Sequence, residues 1–109
     1  MKSHEKIIID KMKKYANQII DFTSGLNFEA LCNDLKTLHA SVFGLSQIGE
    51  LVKKLDKEFI DKHNHIPWVK IKHLRNHIVH DYEGIQLKML WTILTKFVPE
   101  FIADLSNLK

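Results

Sequence analysis

The chain has 109 residues, 45% hydrophobic and 27% charged, which is the profile of one soluble globular domain spanning 1–109 and large enough for a single core without staples. One cysteine, Cys32, excludes an internal disulfide and fits a reducing cytosol, and no apolar stretch approaches the ~20 residues of a membrane span or follows the basic start as a secretion signal would. The net charge of +3 permits contact with nucleic acid without demonstrating it, because the lysines are scattered and only Lys13-Lys14 and Lys53-Lys54 are paired.

The first apolar stripe with helical period is Ile8, Met12, Tyr15, Ile19 and Phe22. It stops at Thr23-Ser24-Gly25, where glycine suits a helix end. Asn27 offers a cap to the next helix, and Glu29 favours the positive end of its dipole. A longer stripe follows: Phe28, Leu31, Leu35, Leu38, Val42, Leu45, Ile48, Val52, Leu55 and Phe59. One rod over that range would measure roughly 50 Å, so a bend or break is expected between Thr37 and Gly44. Gly49 marks a flat spot where another backbone can approach. Cys32 falls within the apolar pattern and reads as a packing residue.

Lys62 to Ile66 is a polar connector, and Pro67 suits the first position of a new helix with core residues Ile71, Leu74 and Ile78. That helix is expected to end near Asp81-Tyr82-Glu83-Gly84. The last stripe is Leu87, Leu90, Trp91, Leu94, Phe97, Phe101 and Leu105, with Pro99 inside it to bend or restart the helix. No alternating strand pattern or internal repeat occurs, so the fold class is all-α: an antiparallel bundle of four or five helices.

Arg75 is the only arginine, whereas the other fifteen of the sixteen Lys and Arg side chains are lysines. Its planar fork of donors grips two oxygens of a phosphate or carboxylate together, which an ammonium cannot do. His80 and Tyr82 follow five and seven residues on, adding a titratable base and a phenol. An imidazole that titrates near ~6.5 can take the proton of a ribose 2′-hydroxyl, and a guanidinium can stabilise charge on the attacked phosphate. The group therefore supports RNA cleavage without a metal or other cofactor. Arg75 and His80 are the candidate catalytic residues, with Asn76 and Tyr82 in support.

On an ideal helix His80 lies about 140° from Arg75. Either the helix unwinds near His80, or the site forms in a groove between two copies of the chain. The dimer is preferred, because it also accounts for His80 facing away from its own subunit's core. Taken singly, each residue has a plainer reading: Arg75 as a salt bridge to Asp81, Glu83 or Glu50, His80 as a surface histidine, Tyr82 as packing. His73 and His77 have the spacing of a helical metal pair, but no cysteine is near and the flanking carboxylates lack ligand register, so no metal site is expected.

Arg75-x4-His80-x-Tyr82 resembles the Arg-x4-His-x-Tyr motif of HepT-like toxins, minimal ribonucleases of the HEPN superfamily. Pro67-Trp68, Ile71 and Arg75-Asn76 are similar to that family's approach to the motif. Ile48-Gly49-Glu50 resembles its central helix, and Trp91 matches a later tryptophan. The likeness runs from Phe28 to Phe101. It implies a HEPN-like helical homodimer whose two motifs meet in a cleft, cutting RNA as the toxin of a toxin–antitoxin pair. It also implies a partner, a minimal nucleotidyltransferase antitoxin that transfers AMP to the motif tyrosine, here Tyr82. The chain departs from the family near Phe43, where the central helix often carries an arginine, so RNA contact outside the cleft must rest on lysines. Two other functions fit the residues. One is a non-catalytic helical module that holds a nucleotide beside a nucleotidyltransferase. The other is a purely structural bundle in which Arg75 forms a salt bridge.

Overall fold

The computed structural model describes residues 1–81 and 87–108, with the backbone alone for 75–81. All elements among the described residues are helical: α1 (Ser3–Thr23), α2 (Phe28–Cys32), α3 (Leu35–Val52), α4 (Lys57–Lys62), α5 (Trp68–Asp81), α6 (Leu87–Thr92), a π-helical segment (Ile93–Phe97) and α7 (Val98–Ser106). α3 lies at the centre and packs on both α1 and α5, while α1 also packs on α7. The result is a helical bundle, as the stripes predict.

α1 forms because Ile8, Ile9, Met12, Ala16 and Ile19 line one face, and all five are buried. Phe22, which the stripe assigns to the core, is 42% exposed because the helix is about to end. The end itself needs Gly25, whose φ of +78° is a conformation that side chains with a Cβ resist. α1 comes close to α3 at Gly44. A Cβ there would stand 2.9 Å from the buried Ile19 Cγ1. Gly49, expected to allow such an approach, is buried in α3.

The long second stripe is broken, but not between Thr37 and Gly44, where α3 runs without interruption. The break is at Asn33-Asp34. The Asn33 side-chain amide donates to the Glu29 carbonyl at 3.0 Å and closes α2. The Asp34 carboxylate accepts from the Thr37 backbone N–H at 3.0 Å and its hydroxyl at 2.7 Å, and opens α3. These hydrogen bonds hold the Asp34 carboxyl below its ordinary pKa, the backbone bond contributing most. Leu35, just past the break, is 65% exposed and leaves the core. A second break at 53–56 separates α3 from α4. Leu55 and Phe59 remain buried across it.

Asn27 caps α2 as expected, its Oδ1 accepting from the Ala30 N–H at 2.8 Å. Pro67 stands one residue before α5 instead of opening it, and its carbonyl accepts the first bond, from the Ile71 N–H at 3.1 Å. Trp68 then anchors the helix. It is buried, donates from Nε1 to the His63 carbonyl at 3.1 Å and lies between Phe59 and Phe101, with ring centroids 6.2 and 6.3 Å away.

Pro99 restarts the last helix, falling in the first turn of α7. It has no N–H for the Thr95 carbonyl, and its ring would crowd that carbonyl in a continuous α-helix. The chain answers with the wider π turn just before it, closed by the Val98 N–H to the Ile93 carbonyl. Thr92 and Thr95 hydroxyls donate to the Lys88 and Trp91 carbonyls at 3.1 and 2.7 Å, a pattern that further loosens the helical ladder here. No helix of the described residues is long and apolar enough to cross a membrane.

Candidate active site

Helix α5 carries the motif. Trp68 and Ile71 fix its first half in the core, with 2% and 3% of their surfaces exposed, and α3 packs along it. The backbone remains helical through His80 and Asp81, so unwinding does not begin at His80. The unbroken backbone keeps positions 75 and 80 on different faces of one helix. The side chains of Arg75, Asn76, Ile78 and His80 lie outside the described residues, as does Tyr82 entirely.

The described residues define the surroundings. Lys70, Lys72 and His73 are exposed on the first half of α5, and Lys96 is exposed on the π segment. These are the lysines on which RNA contact beside the motif can rest. On α3, Glu50 is within 3.5 Å of Lys53, with both side chains more than a third exposed. Among the described residues no three His, Cys, Asp or Glu side chains are grouped to hold a metal ion. His77, one member of the spacing noted in the sequence, lies outside them.

Sequence reasoning missed two clefts flanking Lys70. One, of about 570 Å³, opens between α4 and the start of α5, beside Ile60, Pro67 and Val69. The other, of about 440 Å³, separates α5 from the α6–π–α7 segment, beside Leu74, Met89 and Phe97. Pro99 and the two threonines were the available signal for the second, since they are what widens the helix there.

The chain belongs to a known family: the family model described as ribonuclease HepT-like matches residues 12–108, a span that includes the whole of α5. It is similar to "Putative RNase MJ0127" of Methanocaldococcus jannaschii, at 36% identity over 93% of this chain and 80% of the relative. It is also similar to "Putative RNase TTE0752" of Caldanaerobacter subterraneus subsp. tengcongensis, at 37% identity over 75% of this chain and 73% of the relative. "Probable ribonuclease HepT" of Thermococcus cleftensis matches end to end, at 28% identity over 100% of this chain and 99% of the relative. No solved structure matches the chain.

Proposed function

We propose that this protein is a metal-independent endoribonuclease, the toxin of a toxin–antitoxin pair, acting as a single-domain homodimer in the cytoplasm. The observation that carries the reading is the sequence Arg75-x4-His80-x-Tyr82, with positions 75 and 80 on helix α5, in a chain that belongs to the ribonuclease HepT-like family. The His80 imidazole takes the proton of a ribose 2′-hydroxyl. The 2′-oxygen bonds to the adjacent phosphorus as the bond from phosphorus to the 5′-oxygen breaks, and that oxygen leaves with a proton. The products are a 2′,3′-cyclic phosphate and a 5′-hydroxyl. Arg75 stabilises the negative charge on the phosphate oxygens, and Asn76 and Tyr82 position the substrate. DNA lacks the nucleophile and is not cut.

A partner nucleotidyltransferase silences the toxin by transferring AMP to the Tyr82 phenol. Each AMP brings a negative charge and a base to where RNA phosphates must lie, so it repels and obstructs the substrate.

The test is incubation of unmodified protein with short RNAs in excess EDTA. Cleavage by wild type, with losses of ~10²-fold or more in Arg75→Ala and His80→Ala, is the expected result. Intact RNA at high protein concentration would instead favour the non-catalytic nucleotide-holding module. Co-expression with the partner should add multiples of about 329 Da that disappear in Tyr82→Phe.

A further inference from the structure

The cleft between α5 and the π segment has the makings of a subsite next to the proposed cleavage centre. Its floor is apolar: Leu74 from α5, Met89 from α6, Ile93 and Phe97 from the π segment. Phe97 is half-buried and stacks parallel on the buried Phe101, with centroids 6.1 Å apart and planes 8° from parallel. Its ring is therefore held in a fixed plane. Lys70 and Lys96 stand at the rim, both exposed, against one carboxylate, Glu100. The volume of about 440 Å³ falls within the ~300–1,000 Å³ of sites that hold small organic groups.

Two features tie the cleft to the motif. Leu74 in its wall immediately precedes Arg75, and Lys70 lies one turn back along α5. The opposite wall is the π turn, which places Ile93, Lys96 and Phe97 on one cleft. A rigid apolar floor with cations at its edge suits a flat group that carries phosphate beside it. In single-stranded RNA every base is such a group, splayed from a charged backbone and able to stack on an aromatic ring.

We infer that this cleft receives one unpaired base of the RNA substrate, next to the scissile phosphate, with Lys70 and Lys96 on the flanking phosphates. The inference rests on the ribonuclease reading for its substrate class and adds the groups that choose where the strand is cut.

The test uses full-length His80→Ala protein, which keeps RNA intact, and short single-stranded RNAs carrying 4-thiouridine at each position in turn. Photo-crosslinks are mapped by mass spectrometry. The expected result is a crosslink to the 89–97 peptide from a single RNA position, reduced ~10-fold by Met89→Trp, which fills the floor, and similarly by Lys96→Glu, an exposed substitution that leaves the core untouched. Crosslinks that avoid this peptide, or that neither substitution weakens, overturn the subsite. Adenosine monophosphate competing at concentrations as low as the RNA itself would assign the cleft to a free nucleotide and also overturn it. Cleavage of the same RNAs by wild type reports on the other reading. Cleavage without the crosslink removes the subsite and keeps the ribonuclease. The crosslink without cleavage removes the ribonuclease and, with it, the cleft's role in choosing where the strand is cut.

Discussion

Leu105 is fully buried in the last helix, where the chain closes on α1. Truncation to alanine leaves a hole that a packed bundle fills only in part, so Leu105→Ala should lose about 2–5 kcal/mol in a denaturant melt. Gly44 is the opposite case, with no room instead of too much. Gly44→Val should cost about 1–3 kcal/mol, more than the few tenths valine gains over glycine in helix propensity, because Ile19 Cγ1 already stands 2.9 Å from the added Cβ position. Most core positions were legible in the sequence because burial follows the 3.6-residue period. Ile8, Met12, Leu38, Ile48 and Leu94 all fall where the stripes put them. Phe22, Leu35 and Leu87 escaped, since each sits at a helix end, where period no longer decides what is covered.

Element boundaries followed hydrogen bonding more than hydrophobic pattern. The stripe from Phe28 to Phe59 reads through Asn33-Asp34 without a missed beat, yet there the chain stops one helix and starts another. A polar pair that can cap in both directions is a stronger signal than the apolar residues around it. Pro99 was legible as a point of change, but a one-turn widening upstream is a local answer that no periodicity encodes. Pro99→Ala restores a donor for the Thr95 carbonyl, so the π turn should tighten toward an α-helix. Amide hydrogen exchange checks this: the amide that the substitution introduces should be protected, and the amides of 93–97 should exchange in a new pattern. The motif helix was legible as an element, and its residues were singled out by chemistry alone: one arginine among fifteen lysines. The cleft behind it was not, because a cavity arises from how two distant segments fail to meet.

For the whole molecule, the 13.8 Å radius of gyration is slightly above the ~13 Å of a compact domain of this size, as extents of 42 × 26 × 20 Å require. A pair of such bodies joined at the motif helix should sediment at twice the 12.8 kDa chain mass. Stability should also depend on pH through His63. Desolvation lowers its pKa below the ordinary 6.5, with Lys62 and His65 adding repulsion and Glu5 opposing it. The unfolded chain therefore binds this proton more readily than the folded one. The contribution is present above pH 6.5 and is lost as the pH falls from there through the lowered value. Thermal melts between pH 5 and 8 should fall at the acid end, with a shallower slope in His63→Gln.

Both tryptophans of the chain sit at informative junctions. Trp68 is sealed between Phe59 and Phe101, and Trp91 is half-covered and meets Phe28 edge-on at 6.1 Å. The molecule thus carries two optical reporters of different polarity, one reading the seam of α4, α5 and α7, the other the docking of α2 on α6. In single-tryptophan variants, the Trp91 emission should redden at lower denaturant than that of Trp68 if the short α2 detaches before the core opens. Coincident transitions would mean that the whole bundle lets go at once.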